Sequence, residues 1–518
     1  MSRKTSAELM VWSFLVASFV GGTALYVSEY NREVVDMVPV IQQVTQVDPI
    51  SNESKTISIV TTKEVTKQWE SYVDSVFMAV SALCVTGLSS TDFSQYTLAG
   101  QIILMILIQI WGLWVIVFTS LFAIVLIRGL SDHTTFKQVV ADLMDTGHDE
   151  IGDMLWRVAK YTLFFEWLAF LIMWAWLQWW PLRSVMMEQG TNPRRWSLFH
   201  SVSAFNNAWF TLFNDNLMKF VTDPVISLTI AGLIIFGGIG YPVLIVIHTW
   251  LRKKITHRSD IAQKALEQDV KDVVASPVQT RVALWGTLLL LVIGTLLPYI
   301  TDHHNPIFDN LNRRQELMAN FFQSVSTRTA WFNTVDIGAL SPATLFLFII
   351  LMYIGANPAG TWWGIKVPTV AVLLGYIRDR FAEPGQAVKL FGRKISKFAV
   401  SHAVRLFFAS TVAIVFVTLF ITIMETKYFT IGQTPFNFIK IYFEVVSAFA
   451  TVGLSMGFPG GVTSFSGILG DPSKIALIAI MLLGRLGPLT VLAAIPLKKK
   501  FMDQTSPDYD DVEKIQIG

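Results

Sequence analysis

Long apolar stretches alternate along this chain with shorter, more polar ones. A helix that crosses the hydrocarbon core needs about 20 mostly apolar residues. Eight segments reach that length: 7–26, 97–127, 155–180, 222–250, 278–300, 342–378, 400–424 and 472–496. Arg3 and Lys4 precede the first, as in a signal peptide, but the repeat described below requires this segment as a helix. Arg252, Lys253, Lys254, Arg258, Lys264 and Lys271 follow the fourth span, and Arg378, Arg380, Lys389, Arg393, Lys394 and Lys397 follow the sixth. Lys498, Lys499 and Lys500 follow the last. Basic loops stay inside, which predicts cytoplasmic termini and a plasma (inner) membrane location. The tail 501–518 is polar, acidic and expected to be loose.

Between each odd span and the next even one lies a segment too short and polar to cross. These four segments resemble one another: Ala79-Val80-Ser81, Ser201-Val202-Ser203, Ser324-Val325-Ser326 and Val445-Val446-Ser447. An irregular run follows each: Cys84-Val85-Thr86-Gly87-Leu88, Asn206-Asn207-Ala208-Trp209-Phe210, Arg328-Thr329-Ala330-Trp331-Phe332 and Ala450-Thr451-Val452-Gly453-Leu454. From the shared serine to the aligned glycine or tryptophan the spacing is six, six, five and six. The repeat predicts an all-α polytopic membrane protein of four pseudo-repeats, each helix, pore half-helix, filter loop and helix, around a central pore. The expected units are 1–130, 131–254, 255–385 and 386–500, with 501–518 as cytoplasmic tail.

Composition agrees with a membrane class. Apolar residues make up 53% of the 518 and charged residues 15%, against about 25% charged in globular proteins. Mean hydropathy is +0.50. Forty basic and 38 acidic residues leave +2, so no field points to nucleic acid. Cys84 is the only cysteine, which excludes a disulfide framework and a Cys-rich metal site. No metalloprotease, P-loop, hydrolase or kinase motif occurs, and no enzyme chemistry is predicted.

Irregular backbone at membrane depth is tolerated where it is enclosed in protein or lines a water-filled path. Four such loops about one axis would present rings of carbonyls that replace a cation's hydration shell. Half-helices aimed inward add about −0.5 of an elementary charge each at their C-terminal ends. Glycine at Gly87 and Gly453 permits the turn and the close approach such a ring needs.

These motifs carry a resemblance to the Trk/Ktr/HKT superfamily of potassium and sodium transporters, nearest its TrkH and KtrB branch. It rests on Ser81–Ser89, Phe205–Phe210, Ser324–Asp336 and Phe443–Ser455, supported by Phe236–Leu244 and Leu483–Thr490. The resemblance implies potassium uptake through a single-file pore, usually in a homodimer gated by a cytosolic nucleotide-binding ring. Potassium would be the substrate, with no cofactor in this chain. The implied filter is Val85, Thr86 and Gly87; Asn207, Ala208 and Trp209; Thr329, Ala330 and Trp331; and Thr451, Val452 and Gly453. A gating loop over Gly355–Lys366, including Gly355, Gly360, Trp362, Trp363 and Lys366, and Arg485 below the filter carry over in the same way. Two rivals remain: a sodium-selective or sodium-coupled member, and a non-conducting regulatory subunit.

The chain departs from that pattern at Trp111, Trp114, Trp209, Trp331, Trp362 and Trp363, where the family or the internal repeat has small residues. An indole lacks glycine's positive-φ freedom. A blocked relative, a rebuilt filter, or UGA codons that specify glycine but are read as tryptophan would each explain the pattern. The last is favoured, because Gly87, Gly453 and Arg485 are intact. Glu166 is expected in a helix–helix hydrogen bond, and Met78, His200 and Glu444 in packing and local hydrogen bonds. Asp74 and Asp92 read as solvated surface charges, with cation concentration at the outer mouth as the alternative.

Overall fold

A computed structural model of the chain describes residues 3–30, 32–47, 54–68, 71–110, 112, 151–179, 183, 186, 191–208, 210–213, 215–240, 243, 244, 246–248, 277–328, 332–355, 357, 364–382, 388–395, 397–426, 437–457 and 464–487. Among the described residues, four helices carry spans long and apolar enough to cross a membrane: α1 (Arg3–Glu29), α4 (Ile151–Trp179), α7 (Pro277–Thr301) and α11 (Lys397–Met424). Their outward faces are apolar. Trp12 and Phe19 on α1, Phe164 and Trp167 on α4, Leu288 and Leu289 on α7, and Val412 and Phe416 on α11 all stand exposed. Large aromatics and aliphatics in contiguous exposed stripes suit a lipid surround. The protein is a mostly helical, multi-pass membrane protein.

Inside this outer set lie four shorter helices: α2 (Tyr72–Leu83), α5 (Pro193–Asn206), α8 (Arg313–Thr327) and α12 (Phe438–Phe449). Each starts at an Asn or Ser whose side chain accepts from the first turn. Ser71 accepts from the Asp74 amide at 3.1 Å, Asn192 from Arg194 at 2.9 Å and Asn437 from Lys440 at 2.9 Å. Asn312 forms a reciprocal capping box with Gln315. Their C-terminal halves are buried even where the sequence is polar, as in Gln323, Ser324, Ser326 and Thr327 of α8. Short polar helices hold this depth because protein encloses them.

The second helices of the units are α3 (Leu98–Ile110), α6 (Pro224–Gly238), α9 (Pro342–Tyr353) with α10 (Val367–Ala382), and α13 (Asp471–Leu486). The sixth apolar segment, expected as one span over 342–378, is two helices. A parallel bridge between Ile354 and Ile365 brackets the break, and Gly355 and Pro358 in the sequence favour a helix ending there. The remainders of the second and eighth spans, past Ile110 and Leu486, fall almost wholly outside the described residues.

One element escapes a search for apolar helices. Strands β1 (Glu33–Val47) and β2 (Ser54–Gln68) form an antiparallel ribbon whose register runs from Glu33 opposite Gln68 to Val47 opposite Ser54. The fold remains mostly helical, with this ribbon added to it. The segment is rich in Val, Ile and Thr, which suit a pleated backbone, and too polar to score as a span. Strands β3 (Lys389–Leu390) and β4 (Arg393–Lys394) form a small hairpin after α10.

Each unit also has a carboxylate joining its outer helix to the start of its second helix. Glu29 at the end of α1 accepts from the Thr97 amide at 3.1 Å and its hydroxyl at 2.5 Å, just before α3. Asp302, after α7, accepts from the Ser341 amide at 2.8 Å and from the Thr344 hydroxyl. Glu425, after α11, accepts from the Gly470 amide at 2.9 Å and the Ser473 hydroxyl at 2.7 Å. In the second unit the acid changes sides: Asp223 caps α6 and accepts from Trp176 Nε1 on α4 at 3.0 Å. An anion at a helix N-terminus meets unpaired amides and the positive end of the dipole.

Candidate functional site

Three of the inner helices end in the same way. In α2 the Val85 amide donates to Ala82 at 3.1 Å and the Thr86 amide to Ser81 at 2.7 Å. In α5 the Asn207 amide donates to Ala204 at 3.2 Å and the Ala208 amide to Ser203 at 2.8 Å. In α12 the Thr451 amide donates to Ala448 at 3.2 Å and the Val452 amide to Ser447 at 2.9 Å. This pair of bonds is a Schellman termination, which needs a left-handed residue at its centre. That residue is Val85 (φ 54°), Asn207 (φ 60°) and Thr451 (φ 48°). Valine and threonine rarely adopt this conformation. Strained backbone persists where its surroundings over-determine it and clusters at functional sites. The shared serine of the sequence repeat is therefore the acceptor that turns each chain out of its helix.

The segments expected as four units touch in chain order, and the fourth touches the first. Between the first and second, Phe93 stacks on Phe199 with centroids 5.3 Å apart, and Arg195 hydrogen-bonds Gln101. Between the second and third, the Leu217 amide donates to the Asn333 carbonyl at 3.1 Å and the Asn333 amide to Asn216 Oδ1 at 3.2 Å. Between the third and fourth, α9 packs on α12, and Gly338 lies against the Met456 carbonyl. Between the fourth and first, the Ser464 amide donates to the Ser89 carbonyl at 3.2 Å and the Ser89 amide to Ser464 Oγ at 2.9 Å. At the centre of this last contact, a Cβ on Gly453 (φ 82°) would overlap the Thr86 carbonyl oxygen. Only glycine fits two backbones that close.

Of the expected filter residues, Val85, Thr86, Gly87, Asn207, Ala208, Thr451, Val452 and Gly453 are all buried at these helix ends. Trp209, Thr329, Ala330 and Trp331 lie outside the described residues, as do Gly360, Trp362 and Trp363 of the expected gate and Trp111 and Trp114. The remaining gate residues come together. Arg485 is buried in the last turn of α13, within electrostatic range of Cys84 at the end of α2 and of the buried Lys366. A Cβ on Gly364 would sit 3.3 Å from Gly355 Cα.

Sequence reading passed over Arg328. It is buried at the end of α8 and its Nη2 donates to the Gly355 carbonyl at 3.3 Å, tying the end of α8 to the start of the break that follows α9. Its place in the repeat, where the other units have Cys84, Asn206 and Ala450 nearby, was the available signal. The expectation for Asp74 is corrected: it is buried and accepts from Lys474 Nζ at 2.7 Å, an ion pair between the fourth and first units. Asp92 caps a short turn, accepting from the Ser94 amide at 2.9 Å and Gln95 Nε2 at 3.1 Å. Glu166 does join helices, with Gln109 Nε2 at 3.2 Å and Asn206 Nδ2 at 2.8 Å. His200 stacks on Trp196 at 3.9 Å and meets its carbonyl at 2.8 Å, while Glu444 accepts from the Ser466 amide at 2.8 Å. No group of three metal-ligating side chains occurs among the described residues.

The comparisons with known proteins point to one family. A Ktr system potassium uptake protein B of Vibrio alginolyticus is 34% identical over 423 residues, covering 81% of this chain and 84% of that protein. A potassium/sodium uptake protein of Enterococcus hirae is 31% identical over 432 residues, covering 82% and 86%. Among solved structures, the potassium transporter TrkH of Vibrio parahaemolyticus matches with a TM-score of 0.59 at 18% identity, covering 82% of this chain and 78% of that one, a likeness of fold. The family model described as TrkH, cation transport protein, matches residues 10–504. With nearly the whole length accounted for, the chain belongs to the TrkH family of cation transport proteins.

Proposed function

We propose that the chain takes up potassium through a channel-like pore whose filter is the backbone of the four loops. The observation that carries this reading is the recurring Schellman turn at the ends of α2, α5 and α12, in units that touch in a closed order. Such turns aim main-chain oxygens of consecutive residues one way, and the helix ends bring negative potential to the same place. The proposed ion-holding residues are Val85, Thr86 and Gly87; Asn207, Ala208 and position 209; Thr329, Ala330 and position 331; and Thr451, Val452 and Gly453. Potassium loses its shell to such oxygens without a charged ligand. The names of the relatives favour the same ion.

Below the filter, the segment from Gly355 to Lys366, including Gly360, Trp362 and Trp363, acts as the gate in this reading, and Arg485 sets its field. The four units keep the boundaries given above. The working assembly is a homodimer in the plasma membrane with cytoplasmic termini and a cytosolic nucleotide-binding ring that moves the gate. At positions 209 and 331 the expressed protein carries glycine in this account, from UGA codons. Peptide mass spectrometry of the native protein tests that directly, and tryptophan there would leave the rebuilt or blocked filter.

Purified protein in liposomes, assayed for potassium and sodium flux separately, tests the function. Potassium entry that exceeds sodium entry is the expected result. The potassium/sodium name of the Enterococcus hirae relative favours one rival, which predicts comparable sodium flux. No flux of either ion from the native-sequence protein would leave a non-conducting subunit.

A further inference from the structure

A buried acid on an outer helix lies behind the end of α5. Glu166 lies midway along α4 and is 5% exposed. Two side-chain amides hold its carboxylate. Asn206 Nδ2 donates to Oε1 at 2.8 Å, and Gln109 Nε2 donates to Oε2 at 3.2 Å. The Asn206 amide also donates to Gln109 Oε1 at 3.0 Å and to the Val202 carbonyl at 3.0 Å. The three side chains thus close a cycle joining the second helix of the first unit, the outer helix of the second and the inner helix α5. Asn206 is the last residue of α5, and the left-handed Asn207 follows it. At the same place in the repeat the first and fourth units have Cys84 and Ala450, which give a carboxylate no such amide.

An ionisable group at membrane depth is costly to keep and marks function. A carboxylate offers acceptors on both oxygens, so the Asn206 and Gln109 amides each meet one. Gly112, two residues past α3, packs against this amide, since a Cβ there would overlap Asn206 Oδ1. We propose that Glu166 is a positioning residue: through Asn206 it fixes the exit of the chain from α5 into the second filter loop, and so sets the preference for potassium over sodium. The inference rests on the pore reading above. Discrimination between these ions depends on the placement and number of carbonyls, and the loop after Asn206 supplies one quarter of them in that reading.

The test is the ratio of potassium to sodium flux for the full chain in liposomes. Glu166→Gln keeps the shape but turns one acceptor into a donor that faces a donor. The ratio is expected to fall by about tenfold, the effect of one unsatisfied buried bond. Asn206→Ala removes the amide through which the acid acts and should lower the ratio by a similar factor, and adding Glu166→Gln to it should lower the ratio little further. Gln109→Leu removes one clamp and should lower the ratio less; it stands in if Glu166→Gln does not yield folded protein. An unchanged ratio in any single variant, or a Glu166→Gln loss that adds in full to that of Asn206→Ala, overturns the proposal. Failure of the wild-type protein to pass either ion overturns the pore reading as well, whereas selective wild-type flux with unmoved variants removes the role of Glu166 alone.

Discussion

The loops of the first and fourth units meet backbone on backbone at Gly453, in addition to the Ser464 and Asp74–Lys474 side-chain contacts, whereas the second and third units meet through Asn216, Leu217 and Asn333. In the first pair, the Ser81 and Ser447 hydroxyls meet no hydrogen-bond partner among the described residues, and Gly453 lies directly on the Thr86 carbonyl. In the second pair, Ser203 Oγ donates to the Phe210 carbonyl at 3.0 Å and Ser326 Oγ to the Phe332 carbonyl at 2.5 Å. Asn216 and Asn333 then join the two units, with Glu166 behind one loop and Arg328 behind the other. One sequence repeat therefore supports its loops in two ways. Where glycine lets backbones meet, the loop is set by close approach. Elsewhere, side chains behind it do the setting, and there the loops tolerate divergence such as Asn206 and Arg328.

The largest expected effect breaks the backbone side of the comparison. Gly453→Ala forces a left-handed alanine, at about 1–2 kcal/mol, and adds the overlap with Thr86, so potassium uptake should fall by about a hundredfold. Gly392→Ala is the internal control. It has φ 81° but open space where the Cβ would go, and uptake should stay within about twofold of wild type, since only the backbone cost applies. Equal losses in both would mean that close approach is irrelevant.

Next in size is the Asp74–Lys474 pair, which locks the first and fourth units from behind. Lys474→Met strands a buried carboxylate and should cost about 3–5 kcal/mol, read as thermal stability in detergent. Adding Asp74→Asn should recover most of the loss. A single variant as stable as wild type would remove the pair from the account.

Smaller still are the serines. Ser203→Ala or Ser326→Ala each removes one bond to a loop carbonyl, worth about 1 kcal/mol, and should shift the potassium-to-sodium flux ratio by roughly fivefold. Ser81→Ala and Ser447→Ala should leave it unmoved. Equal shifts in all four would erase the distinction between the pairs.

The smallest effect is one of pH. Burial pushes the Asp302 carboxyl up, but hydrogen bonds from Thr344, Asn305 and Ser341 outweigh it and hold the group below its ordinary value. A depressed carboxylate stabilises the fold above its unfolded pKa, about 3.9, and that contribution is lost as pH falls through the folded value. Asp302→Asn should therefore flatten the acid limb of a stability curve below about pH 4. An unchanged limb would show that the carboxylate adds nothing at that junction.

The legible part of this fold was what lipid and periodicity impose. Outer helices read as long apolar runs, and the inner ones as repeated Val-Ser endings whose serine carbonyls close the Schellman turns. Long-range partners were not legible. Asp74 looked like a surface charge because Lys474 lies 400 positions away. The outer carboxylates Glu29, Asp302 and Glu425 sit at the ends of apolar runs, where an acid looks like ordinary termination, and only the facing helix start gives them a role. The ribbon of β1 and β2 was missed for a different reason: its alternation has a period of two, and the chain was read for crossings.

Diffraction from crystals soaked in thallium or rubidium, with the anomalous signal locating the ion, tests the central claim most directly. The account predicts a peak enclosed by the loops after α2, α5, α8 and α12, within coordination reach of the carbonyls of Thr86, Ala208 and Val452. A protein that passes potassium yet shows its ion elsewhere, or held by side-chain carboxylates, would contradict it.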